Sequence, residues 1–191
     1  MTAAQPQITL LTIDEYAALG ETDNGYTELL EGRVLMSPSP APKHNYAALA
    51  LAMQLVPQLP EYLDVLLDLD VDLQLSPSDQ PGWSRRPDLI ISQRAARVRV
   101  GAEGGLIRAS EVLVVVEIVS PGSRRTDHVT KRHEYADAGI GHYWIVDLEA
   151  PVSLLAHHLA EDFGYAECSV ATGVFTTTAP LPIRLELDRL L

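Results

Sequence analysis

Val112–Val119, VLVVVEIV, constrains this chain more than any other stretch: seven of its eight residues are aliphatic, most of them β-branched, and the eighth, Glu117, is a carboxylate. A run this continuous suits a strand buried on both faces at the centre of a sheet. An ionised carboxylate inside it costs several kcal/mol unless it is paired, hydrogen-bonded or bound to a metal. The sequence therefore asks for a partner to Glu117, and at this point an arginine and a cation both remain open.

The segment beyond this strand fixes its neighbour. Ser120-Pro121-Gly122 reads as a turn, a basic helix is expected from about Ser123 to Ala138, Gly139 stops it, and His142–Leu148 reads as another strand. A crossover of this length joins parallel strands, so residues 112–148 predict a βαβ unit.

Upstream, Thr12 followed by Glu15 predicts a helix start closed by a capping box. Tyr26–Leu30 and Arg33–Met36 read as a hairpin across Glu31-Gly32, where glycine supplies the positive φ of a tight turn. After the Pro-rich break Ser37–Pro42, the spacing of Ala47, Leu51 and Leu55, with Ala48, Ala52 and Val56, predicts an amphipathic helix over Lys43–Val56, ended by Pro57 and Pro60. Leu67–Leu75 alternates apolar residues with Asp68, Asp70, Asp72 and Gln74, predicting one half-buried strand with a solvated acidic face. The Asp-x-Asp-x-Asp triplet is not a calcium loop, because Leu73 stands where the turn glycine belongs. Pro87–Ile91 enters a further strand, Ser92–Ala109 is expected to be a basic connection with at most one short turn of helix, and Val152–Leu191 two or three strands with a short terminal helix. No repeat or linker divides the chain, so residues 1–191 are expected to form one domain.

Charge narrows the choice of partner. The net charge is −12, which argues against a general nucleic-acid binder, yet ten of the 14 Lys and Arg lie between Arg85 and Arg132, a segment holding five acids. A basic face that meets phosphates and a merely solvated loop are both compatible with that distribution. The single cysteine, Cys168, excludes an internal disulfide framework. The first residues carry no basic region ahead of an apolar one, and no run approaches the ~18 apolar residues of a membrane span. A cytoplasmic protein is expected.

The chemistry gathers around Glu117. Asp88 opens a strand directly after Pro87, 29 residues before Glu117, and neighbouring strands can bring two such carboxylates to one point. One or two carboxylates with room for water suit Mg²⁺. Lys131 lies one i,i+4 step after Asp127 and one before Tyr135, so the three share a helix face that can cross over the carboxylates. Other chemistries lack their signatures: the six histidines show no H-E-x-x-H spacing, Ser120 and Ser123 lack a nucleophile elbow, and Gly101, Gly104 and Gly105 lack a phosphate-loop context.

Taken in order, Glu28-xxx-Gly32, Pro87-Asp88, Glu117-Ile118-Val119-Ser120-Pro121, Asp127-xxx-Lys131-xxx-Tyr135 and Gly139-xxx-Tyr143-Trp144-Ile145-Val146-Asp147 resemble the Uma-two family of restriction-endonuclease-like proteins, within the PD-(D/E)XK nuclease superfamily. The resemblance implies an α/β restriction-endonuclease-like core, a mixed sheet flanked by helices, with an extra N-terminal hairpin and C-terminal strands. It implies a DNA endonuclease dependent on Mg²⁺ (or Mn²⁺), with Asp88, Glu117 and the Ile118 carbonyl as metal ligands and Asp88, Glu117 and Lys131 catalytic. Glu28, His44 and Tyr135 stand as supporting residues, and a homodimer is expected. One departure from the superfamily is Val119, which occupies the usual lysine position; the family supplies that lysine from the next helix, here Lys131. The rival from another class is a catalytically silent interaction or nucleic-acid-binding protein that kept the fold. Overall acidity favours the rival, since DNA affinity draws on phosphate-neutralising cations; the presence of all three chemical residues favours the enzyme.

Overall fold

Thr12 caps α1 (Ile13–Leu19) as expected: its side chain accepts the Glu15 N–H while the Glu15 carboxylate accepts the Thr12 N–H. The computed structural model describes residues 9–20, 25–37, 39–160, 164–167 and 170–191, and Cys168 lies outside them. The hairpin forms as β1 (Thr27–Leu30) and β2 (Arg33–Met36). Its two turn residues, Glu31 and Gly32, both take positive φ, 49° and 74°, as a two-residue hairpin loop requires. Gly32 has a second constraint, for a Cβ there would lie 2.9 Å from the Leu11 nitrogen.

Next come α2 (Pro42–Leu55), β3 (Leu63–Leu67), β4 (Val71–Asp72), β5 (Ser84–Arg85), β6 (Leu89–Gln93), α3 (Arg94–Glu103), β7 (Ile107–Arg108) and β8 (Val112–Val119). The helix after β8 contains a π-helical turn, Thr126–Lys131, and continues as α4 (Arg132–Asp137). The chain closes with β9 (His142–Asp147), β10 (Ser153–Leu159), β11 (Tyr165–Glu167), β12 (Ala171–Thr172), β13 (Val174–Thr177), β14 (Ile183–Glu186) and a 3₁₀ turn, Leu187–Leu190.

These strands make two mixed sheets and a hairpin. The larger sheet runs β11-β10-β9-β8-β6-β3, with β12 added to β10; the smaller runs β2-β1-β5-β4-β7; β13 pairs with β14. In the larger sheet β8 and β9 are parallel, as the crossover length predicts, and β6 runs antiparallel to β8. Strand β8 is covered on both sides. Val114, Val116 and Ile118 join α2 (Ala47, Leu51, Leu55) and the C-terminal Phe175, Leu185 and Leu190 in one core. Val115 and Val119 join Tyr135, Ile140 and Tyr143 in the other. Each buried leucine or valine contributes ~1.5–3 kcal/mol, which holds β8 rigidly between the layers. Alternation places Glu117 on the Val115–Val119 side, facing the helix that comes after β8.

Three expectations are corrected. Leu67–Leu75 is not one strand: Leu67 ends β3 in the larger sheet, and Val71–Asp72 forms β4 in the smaller one. The chain changes sheets at Asp68, which takes φ 50° and donates its N–H to the Asp88 carbonyl. Period-two alternation survives the crossing, so periodicity could not reveal it. The acidic side is also not simply solvated, for Asp68 and Asp70 meet Arg86 at 2.8 and 3.7 Å. Second, residues 92–109 contain the ten-residue helix α3, stabilised by charge rather than by an apolar stripe: Arg94 and Arg97 share Asp64, and Arg99 clamps Glu111. Only Ala96 of α3 is buried, which left little apolar pattern to read. Third, the described residues of the C-terminal region hold five strands, β10–β14, several too short to show an alternation.

Candidate active site

The site begins where β6 starts. Leu89 pairs with Val116, so Asp88, one residue before β6, falls beside Glu117, and its Oδ2 accepts the Ile118 N–H at 2.7 Å. In an extended strand the N–H and C=O of one residue point to the same edge. The Ile118 carbonyl therefore also faces the Asp88 side, beyond the last β6–β8 pair. From the first turn of α2, His44 Nε2 meets Asp88 Oδ1 at 2.7 Å, and this hydrogen bond holds His44 above the ordinary histidine value.

Glu117 is 3% exposed. Its partner is not an arginine: Lys131 Nζ and the Tyr135 hydroxyl both donate to Oε1, at 2.9 and 2.7 Å. Burial pushes the Glu117 carboxyl up to about 8; Lys131 opposes the shift, and the Asp88 and Asp127 carboxylates add to it. Lys131 also lies 3.6 Å from Glu28 Oε1 and 3.6 Å from Asp127 Oδ1. Burial works against its ammonium, but Glu117, Glu28 and Asp127 outweigh it and hold Lys131 well above the usual lysine range. The π turn explains how Asp127, Lys131 and Tyr135 all reach inward. Each α-helical i,i+4 step drifts by about 40°, and the wider i→i+5 turn over Thr126–Lys131 takes part of that drift back.

All seven residues singled out by the sequence are thus brought together: Asp88, Glu117, Ile118 and Lys131, with Glu28, His44 and Tyr135 around them. Two partners were missed. Arg85 donates to Glu28 Oε2 at 2.6 Å and binds Glu134 bidentately, at 2.6 and 2.8 Å. Glu28 also accepts the Arg86 N–H, and although burial acts to raise it, Lys131 and Arg85 hold its carboxyl below the ordinary value. The available signal was Arg85-Arg86 directly ahead of Pro87-Asp88, but nothing in the spacing tied it to residues 57 and 49 positions away.

The charge balance of this cluster bears on a cation. Glu28, Asp88, Glu117, Asp127 and Glu134 face two permanent cations, Arg85 and Lys131, and one conditional cation, His44. Fully ionised, the cluster carries an excess of two to three negative charges in a largely buried setting. Both Asp127 oxygens are buried without a short hydrogen bond, with the Ser123 hydroxyl and the Lys131 ammonium beside them. Such a surplus fits a divalent cation. Among the described residues no three His, Cys, Asp or Glu side chains close into a ready-made cage. The wider basic segment is spent differently: Arg85, Arg86, Arg94, Arg97, Arg99, Arg124 and Lys131 are all engaged with carboxylates.

The model of the Uma2 family, described as a putative restriction endonuclease, matches residues 13–189. The chain belongs to the Uma2 family. Its fold is similar to the crystal structure of a putative nuclease belonging to DUF820 from Anabaena variabilis, with a TM-score of 0.67 and 18% identity, over 94% of this chain and 97% of that one. No curated protein matches. Uma2 membership points to a nuclease acting on nucleic acid, and restriction-endonuclease-like proteins generally use divalent metals. No helix among the described residues is long and apolar enough to cross a membrane.

Proposed function

We propose that this Uma2 protein is an endonuclease that hydrolyses DNA phosphodiester bonds with Mg²⁺ or Mn²⁺, using Asp88, Glu117 and Lys131. The observation that carries this reading is the convergence of Asp88 and Glu117 from adjacent strands beneath Lys131, within a buried cluster that has surplus negative charge. Asp88, Glu117 and the Ile118 carbonyl would hold the cation. A divalent ion there supplies Lewis-acid polarisation of the phosphate and a more acidic water. The chain's own groups do the rest. Tyr135 fixes Glu117 through Oε1, His44 fixes Asp88 through Oδ1, and Arg85 braces Glu28 beside Lys131. The Lys131 ammonium donates to the attacking water or to the charge that develops on the phosphate oxygens. Incubation with supercoiled, linear and single-stranded DNA and with RNA, in Mg²⁺, Mn²⁺ or chelator, tests the reading. Metal-dependent cleavage of DNA is expected, and cleavage of RNA alone would reassign the substrate.

One observation favours the silent-binder reading: with so many arginines already bound to acids, little positive charge is left for phosphates. Absence of cleavage on every substrate, together with absence of cation binding, would establish that reading instead.

Glu117 must shed its proton to accept a cation, and burial favours the proton up to about pH 8. Mn²⁺ affinity is therefore expected to rise with pH and level off above that value, with proton release visible as buffer-dependent heat in calorimetry. An affinity that stays flat between about pH 6 and about pH 9 would contradict the assignment of Glu117 as a ligand.

The same reading includes a homodimer, which gives two sites for two DNA strands. Its proposed interface is the outer face of α2 and of the 3₁₀ turn, Val56–Gln58, that follows it. Tyr46, Leu49, Met53 and Val56 recur there at i, i+3, i+7 and i+10, exposed by 54%, 51%, 70% and 57%. A helix apolar on both faces behaves as a buried helix. Residues 44–60 contain no Lys, Arg, Asp or Glu, so in a chain of net charge −12 this is where two copies can approach without repulsion. Sedimentation is expected to show a dimer for the wild type and a monomer for Met53→Glu; a monomeric wild type at working concentration would rule the dimer out.

A further inference from the structure

Asp127 is the buried ionisable group for which the proposed mechanism has no task. It is 1% exposed, neither carboxylate oxygen is closed in a short hydrogen bond, the Ser123 hydroxyl one turn earlier is a polar neighbour, and Lys131 Nζ stands 3.6 Å from Oδ1. A buried carboxylate is normally paired, so one left open asks for an explanation. The lysine opposite supplies it. An ammonium has three N–H donors, and three carboxylates surround this one: Glu117 at 2.9 Å, Glu28 at 3.6 Å and Asp127 at 3.6 Å. The first contact is closed and two are open. Glu28 is already satisfied by Arg85 and the Arg86 N–H, and Glu117 Oε1 is shared with Tyr135. Of the three, Asp127 keeps the most accepting capacity, with the Ser123 hydroxyl beside it.

We propose that Asp127 is a positioning residue that takes up the Lys131 ammonium when Glu117 engages a divalent cation. The inference rests on the reading of Glu117 as a metal ligand. Glu117 then carries two positive neighbours, and their mutual repulsion opposes binding. Asp127 offsets it by drawing the ammonium to the helix side, while Lys131 stays within reach of the scissile phosphate. The alternative, Asp127 as a direct ligand, makes a different prediction, because its effect would not depend on Lys131.

Calorimetric titration with Mn²⁺ separates these cases, using wild type, Asp127→Asn, Asp127→Glu, Lys131→Met and the Asp127→Asn/Lys131→Met double variant, with circular dichroism in chelator to confirm folding. Asp127→Asn is expected to weaken Mn²⁺ binding by about tenfold or more, Asp127→Glu to restore most of it, and Asp127→Asn to cause no further loss once Lys131 is Met. An undiminished loss in the Lys131→Met background makes Asp127 a ligand and overturns the positioning role. Wild-type affinity in Asp127→Asn overturns it as well, with the metal site itself left standing. If the wild type binds no Mn²⁺, the metal reading fails and the inference fails with it. Should Asp127→Asn not fold alone, Lys131→Met and the double variant carry the comparison: equal affinities support the role, and a weaker double variant overturns it.

Discussion

Lys131→Met is expected to lower DNA cleavage by about 10²–10³-fold while leaving Mn²⁺ binding no weaker than in the wild type. The methionine keeps most of the stem's volume but removes the ammonium that donates to Glu117 Oε1. If Lys131 acts on the attacking water or on the developing phosphate charge, its loss falls on turnover. The cation site loses a positive neighbour, so binding is retained or tightened. A purely structural role would produce the opposite split. The variant also leaves Glu117, Glu28 and Asp127 without their shared counterion, and breaking a buried pair in this way costs ~3–5 kcal/mol. Thermal unfolding in chelator should therefore fall, and Mn²⁺ should restore part of it. Cleavage by Lys131→Met at the wild-type rate would remove the lysine from the mechanism.

Arg85→Ala carries the largest expected stability loss, ~3–5 kcal/mol at neutral pH, because one truncation strands two buried carboxylates. The guanidinium spans Glu28 on β1 and Glu134 on α4, so it also ties the smaller sheet to the helix that holds Lys131. The loss depends on pH in a definite sense. Glu28 is held below its ordinary value in the folded state, so it contributes stability above its unfolded pKa and loses that contribution as pH falls through the folded value. The gap between wild type and variant should be widest near neutrality and narrow on acidification. Urea unfolding at several pH values measures it; a gap that widens toward acid would contradict the assignment. Arg85→Lys should recover only part of the loss, since an ammonium cannot bind Glu134 bidentately and reach Glu28 as well.

The sequence spoke most clearly where one residue's chemistry clashed with its surroundings. Glu117 in an aliphatic run demanded a partner, and the length of the crossover put Lys131 and Tyr135 within reach of it. The hairpin and α1 were legible because their turn and cap residues act locally: Glu31-Gly32 sets its own backbone, and Thr12 with Glu15 closes its own helix end. What stayed hidden depends on distant partners. Arg85 reads as one more arginine in a basic segment until the fold places Glu28 and Glu134 around it. Helix α3 leans on Asp64 and Glu111 rather than on an apolar face. The switch of sheets at Asp68 leaves the alternation intact and was invisible for that reason. The basic segment likewise looked available to phosphates because several of its acidic partners lie outside it in sequence: Asp64 and Asp68 precede it, and Asp147 comes after it.

The most direct test of a carboxylate-held cation driving DNA hydrolysis is relaxation of supercoiled plasmid by wild type and by Glu117→Ala, purified alike and confirmed folded, in Mn²⁺ and in chelator. Open-circular product is expected from the wild type in Mn²⁺ only, and none above background from Glu117→Ala. Equal nicking by both proteins would contradict it.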